Sequence, residues 1–113
     1  MTWNEKYYQK LSLISFLFLL VLSLTPGNGS ILDPLDKVVH FLMYFSLTFS
    51  ITGWITSRTK LIVGVFVAIL LGIAIELIQE YIPERGFEYW DIVANSTGAL
   101  YGPYFFYWKR GID

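Results

Sequence analysis

The chain has no cysteine among its 113 residues. That excludes disulfides, thiol nucleophiles and cysteine metal sites, and it leaves the redox compartment unmarked. Charge is scarce. Asp, Glu, Lys and Arg make up 15% of the residues, too little to cover the surface of a soluble domain this long. The net charge is −1, so no overall field recruits nucleic acid. Histidine occurs once, which excludes a multi-histidine metal centre. There are no internal repeats and no low-complexity tracts. What abounds is apolar: 55% hydrophobic residues, 19% aromatics, mean hydropathy +0.53. This balance points to an integral membrane protein, with residues 1–113 forming one domain.

A helix crossing a bilayer needs about 20 mostly apolar residues. Four segments qualify, over about 7–25, 35–55, 61–82 and 89–108. In the first, Tyr7 and Tyr8 suit an interface and Lys10 can snorkel beside the Leu11–Leu24 run. No A-x-A-like cleavage site follows it, so it reads as a retained helix and not a signal peptide. Pro26, Gly27, Asn28, Gly29 and Ser30 make the next loop. Pro83 and Gly86 break the third segment, and Pro103 lies near the end of the fourth. The expected fold is all-α, a bundle of four transmembrane helices.

Basic residues give the orientation. Lys6, Lys10, Arg58, Lys60, Lys109 and Arg110 fall on one side; only Lys37 and Arg85 fall on the other. Both termini and the Ser57–Lys60 loop are therefore expected in the cytoplasm. The acids Asp33, Asp36, Glu76, Glu80, Glu84, Glu88 and Asp91 lie toward the outer face. Small residues form stripes along which helices approach: Gly64, Ala68 and Gly72 in line with Glu76, and Gly98 and Gly102 in line with Asp91 and Asn95.

Three polar groups converge at the outer ends. Segment two opens with Asp36, Lys37 and His40, and Asp36 shares a face with His40. Segment three ends with Glu76, Gln79 and Glu80. The following loop and segment four carry Arg85, Asp91 and Asn95. At 1.5 Å rise per residue, His40 lies roughly 6 Å below Asp36 and Glu76 roughly 10 Å below Pro83, at the leaflet boundary. Ionisable residues at that depth are costly unless paired or wet, so they mark a site by default. His40 is a candidate base or nucleophile, and Asp36, Glu76 and Asp91 are carboxylates fit to orient it; these four are the catalytic candidates. Lys37 and Arg85 are fit to hold an anion, with Gln79 and Asn95 as further ligand contacts. A metal site on Glu76, Asp91 and His40 has weak support, so no metal and no cofactor is expected.

Each residue also has a purely architectural role open to it. Asp36 and Asp91 suit helix caps, Lys37 snorkels, Glu76 and Arg85 suit an ion pair, and His40, Gln79 and Asn95 suit interhelical hydrogen bonds. Glu80, Glu84 and Glu88 read as solvated. Such roles must coincide at one depth on three segments, which a shared site explains more simply.

The stretch Asp36-Lys37-Val38-Val39-His40-Phe41, followed by Tyr44, Phe45 and Leu47, resembles the D-K-x-x-H-F signature of the VanZ-like family. Glu76, Gln79, Pro83 and Arg85, then Asp91, Asn95 and Gly98, resemble its second signature, E-x-x-Q-x-x-x-P-x-R and D-x-x-x-N-x-x-G. The resemblance covers roughly 33–102, without departure at signature positions. It implies a small multi-pass protein of the bacterial inner (cytoplasmic) membrane, and a link to the teicoplanin resistance associated with the family's namesake. The expected function is an outward-facing site that binds, and in its sharper form processes, a lipid or cell-envelope ligand. Membrane lipids and a lipid-linked cell-wall intermediate are the expected partners, and nucleic acid is not. The alternatives are a non-catalytic binding or shielding protein and, less favoured, a transporter component. No charge lies between Lys60 and Glu76, whereas a translocation path needs polar groups across the midplane.

Overall fold

The computed structural model describes residues 2–26 and 35–110. The loop residues 27–30 and Asp33 lie outside them. Four helices and no strand occur among the described residues: α1 Trp3–Leu24, α2 Asp36–Thr52, α3 Arg58–Gln79 and α4 Tyr89–Arg110. Two of them, α1 and α3, are long and apolar enough to cross a membrane, with mean hydropathies of 1.6 and 2.9; α2 and α4 do not meet the same measure. The 17 residues of α2 are interrupted by no charge after His40, but α2 is short, and α4 carries its polar groups in its first two turns.

Local chemistry sets the helix ends. The α1 helix starts four residues before the expected span because Thr2 and Glu5 form a reciprocal capping box. The α2 helix stops at Gly53, where the Tyr8 ring lies so close to the backbone that no Cβ fits. Ser57 caps α3 by accepting the Lys60 N–H at 3.4 Å. The α3 helix ends three residues before the expected limit, and a tight turn follows. Pro83 lies in that turn, and Glu84 adopts a left-handed φ of 63° that side chains rarely take. Pro103 is accommodated inside α4.

The bundle is elongated, 42 × 23 × 23 Å, close to the thickness of a bilayer with its headgroups. The α2 and α4 helices make the closest contact. Gly98 lies directly against the Phe41 carbonyl, and Gly102 against the Thr48 hydroxyl and the backbone of Phe45 and Phe49. Gly72 of α3 packs on Asn95 and Tyr44, and Gly64 on Ile51. The small-residue stripes thus lie at helix contacts, as their spacing predicts.

The molecule is polar inside and apolar outside. Buried side chains include Ser12, Ser23, His40, Thr48, Ser50, Glu76, Gln79, Asp91 and Asn95. Meanwhile Ile14, Phe18, Val21, Ile62, Phe66, Val67, Leu77 and Leu100 are largely exposed. In water that arrangement would leave apolar area uncovered; in lipid it is the expected one, since inward polar groups find partners in other helices.

Candidate functional site

The C-terminal ends of α1 and α3 and the N-terminal ends of α2 and α4 meet at one end of the bundle. Helix starts have free N–H groups and favour anions, whereas helix ends have free carbonyls and favour donors. Asp36 and Asp91 at the starts and Gln79 at the end of α3 sort accordingly, whereas Lys37 at the α2 start and Glu76 and Glu80 at the α3 end do not.

At the α2 and α4 starts, Lys37 Nζ donates to Asp36 Oδ2 at 3.1 Å, to Asp91 Oδ1 at 2.5 Å and to Glu88 Oε2. His40 is buried, and its Nδ1–H donates to Asn95 Oδ1 at 2.9 Å. The other ring nitrogen, Nε2, lies 3.5 Å from Asp36 Oδ1 and 3.5 Å from Asp91 Oδ2. One face of α2 therefore meets one face of α4 through five polar side chains: Asp36, Lys37, His40, Asp91 and Asn95. Their spacings of four residues on each helix make this possible.

Glu76 in the last turn of α3 and Glu80 at its C-cap hold down the α3–α4 connection. Glu76 Oε1 accepts the Glu88 N–H at 2.8 Å, and Glu80 Oε2 accepts the Phe87 N–H at 3.0 Å. Glu76 is fully buried beside Asp91, and its Oε2 has no hydrogen-bond partner. The Tyr44 hydroxyl, also buried and unpartnered, neighbours Glu76.

Gln79 and Arg85 turn to α1 instead. Gln79 Nε2 donates to the Ser23 carbonyl at 2.8 Å; Arg85 donates to the Leu22 carbonyl at 2.7 Å and the Thr25 carbonyl at 3.1 Å. The reason is legible in the sequence. Residue four after Leu22 is Pro26, which has no N–H, so the Leu22 carbonyl lacks its helical donor. Arg85 supplies one. No Glu76–Arg85 ion pair forms among the described residues.

Of the eight expected site residues, five form the α2–α4 cluster, Glu76 adjoins it, and Gln79 and Arg85 cap α1. The α1 helix is thus part of this end of the molecule. Sequence reasoning missed Glu88, which binds Lys37. Its signal was its position three residues before Asp91, on the same face. Chemically, the cluster offers a histidine whose Nε2 faces two carboxylates, and it offers no spare cation, since both Lys37 and Arg85 are engaged.

The fold and this cluster define an all-helical membrane protein with a carboxylate–histidine network at one end. Its particular kin are given by comparison. The chain belongs to the VanZ/LLP1 family, whose model matches residues 1–110. It is also similar to an uncharacterized protein of the fission yeast Schizosaccharomyces pombe, with 35% identity over 101 residues. That match covers 80% of this chain and 59% of the relative, so the chain spans less than two thirds of the relative's length. No solved structure matches.

Proposed function

We propose that this chain is a multi-pass protein whose four helices all cross the membrane, with both termini cytoplasmic, and whose cluster at the outer end binds and processes the polar head of a lipid. The observation that carries the reading is the convergence of buried His40, Asp91, Asn95 and Glu76 from three helices in a molecule with an apolar exterior. Architecture alone requires no such concentration, because the glycine contacts already join α2 to α4. His40 acts as the base, Asp36 and Asp91 orient it and stabilise its charged form, and Asn95 fixes its ring. A recess of about 540 Å³ between α1 and α2, lined by Ile14, Phe18, Leu22, Val39, Leu42 and Met43, has the dimensions and apolar lining for an acyl chain. Val39 precedes His40, so chain and head would lie on the same helix.

The relative in a yeast favours a lipid shared by bacteria and fungi over a cell-wall intermediate. Placement in a bacterial inner membrane and a contribution to teicoplanin tolerance rest on the family namesake alone, and drug-susceptibility assays of a deletion strain test the latter.

Native mass spectrometry of gently purified protein tests the ligand. A co-purified lipid is expected in the wild type, with product accumulating in the wild type but not in His40→Ala; bare protein from several detergents would sink the reading. A second reading, binding without turnover, is favoured by the saturation of Lys37 by three carboxylates. Lipid retained equally by both proteins, with no product from either, would select it. The absence of native cysteine makes topology simple to test. Lys60→Cys should react with impermeant maleimide only from the cytoplasm, and Glu84→Cys only from outside. Labelling of both from the same face would refute four crossings.

A further inference from the structure

The geometry around His40 points to a divalent metal site, and we propose that Asp36 Oδ1, His40 Nε2 and Asp91 Oδ2 ligate a transition-metal ion of the Zn²⁺ or Mn²⁺ kind. The Asn95 amide oxygen can only accept, so Nδ1 carries a proton, and the neutral ring presents its lone pair at Nε2. Two carboxylate oxygens face Nε2 at 3.5 Å each, at the long limit for a direct hydrogen bond. Ligands bound at 2.0–2.2 Å around a tetrahedral ion stand about 3.3–3.6 Å apart. The separations therefore match a coordination edge. All three donor atoms lie within 4.8 Å of one another.

The surroundings fit a cation as well. Lys37 takes the other oxygen of each aspartate, Oδ2 of Asp36 and Oδ1 of Asp91, leaving the inner pair turned toward His40. Asp36, Glu76, Glu88 and Asp91 outnumber Lys37, so the network when ionised keeps a negative excess. Beside Asp91, the fully buried Glu76 holds an unpartnered oxygen, a candidate fourth ligand or an anchor for metal-bound water. The Asn95–His40 hydrogen bond is the kind of outer partner that orients a metal-bound imidazole. One histidine and two carboxylates suit Zn²⁺ or Mn²⁺ better than a soft ion. No metal was expected from the sequence; the set differs from the weakly supported one of Glu76, Asp91 and His40 by Asp36 in place of Glu76, and with the ion bound His40 is a ligand and not the base.

The test uses the full chain in detergent with any affinity tag removed and no lipid added, so it is independent of the lipid reading. Titration with Mn²⁺ or Zn²⁺ after chelation should show one saturable site. Asp36→Asn and His40→Ala should each weaken it more than tenfold, and Asn95→Ala 10–100-fold. The chain has a single histidine, so spin-echo spectra of the Mn²⁺-loaded wild type should show coupling to one imidazole nitrogen, whether or not the variants fold. Absence of saturable binding, or saturable binding without that nitrogen coupling, overturns the site. Loss of metal binding with lipid retained would leave the lipid reading intact.

Discussion

The α2–α4 contact has two halves built on different physics. At the half proposed to face outward the helices are joined by Asp36, Lys37 and His40 reaching across to Glu88, Asp91 and Asn95. At the inner half they are joined by absence of side chain: Gly98 and Gly102 let the backbones touch, and Phe41, Phe45 and Phe49 stack at 5.9 Å along α2 with Phe105 and Phe106 against them. The hydroxyls of α2 in the inner half are satisfied locally. Thr48, Ser50 and Thr52 each donate to carbonyls of their own helix. The difference shows what close packing in lipid needs and what it does not. Among the described residues, glycine and aromatic contact hold the two helices together there without an interhelical ion pair. The charges at the other end are therefore in excess of what association demands, and that excess is the strongest argument for a site.

The contrast breaks most severely at Gly98. Any Cβ there meets the Phe41 backbone, which cannot move aside as a flexible side chain would. Gly98→Leu should force the helices apart and cost about 3 kcal/mol or more, read as unfolding in mixed detergent micelles or as loss of folded protein. Normal stability would mean that α2 and α4 do not touch there.

Next comes Lys37. Its side chain is 43% exposed, whereas that of Asp91 is 6% exposed. Lys37→Met removes the ammonium and leaves Asp91 in place. Stripping a partner from a fully buried pair costs about 3–5 kcal/mol, and the exposure of Lys37 discounts that to about 2 kcal/mol. Adding Asp91→Asn should recover most of the loss, a coupling that a double-mutant cycle measures directly. Additive losses would show that the pair is not a unit. Asn95→Leu is milder. It leaves the buried His40 N–H without its acceptor, worth about 1–2 kcal/mol, and stability unchanged by the substitution would argue that the His40–Asn95 bond does not form.

The four helices were legible from their apolar runs, with Pro26 and Pro83 marking two of the ends; Gly53 was not read as a breaker, so the second span was carried past the true end of α2. The exact ends were not legible, because polar caps such as Thr2 and Ser57 lie outside the hydropathy signal. Whether α2 and α4 cross the membrane is also less plain than their spans suggested, since α2 is short and α4 has polar first turns. In the site, spacing of four brought Asp36 with His40 and Asp91 with Asn95, and the structure brings those pairs face to face. The partners of Arg85 and Gln79 escaped notice because they are backbone carbonyls, which carry no residue signature; only Pro26, by silencing one donor, hinted at them. Glu88 escaped because an exposed acid in a loop reads as solvated, with no partner required.

The smallest effect sharpens the comparison most. Thr48 is fully buried at the inner half and its hydroxyl lies against Gly102, yet it donates to the Tyr44 carbonyl of its own helix at 3.0 Å. That carbonyl already receives a helical N–H, so removing the hydroxyl strands no partner. Thr48→Val keeps the branched shape against Gly102 and should cost less than about 1 kcal/mol, below the Asn95→Leu loss at the outer half. If it instead costs as much, the inner hydroxyls are structural glue between helices, and the polar excess no longer distinguishes the outer end as a site.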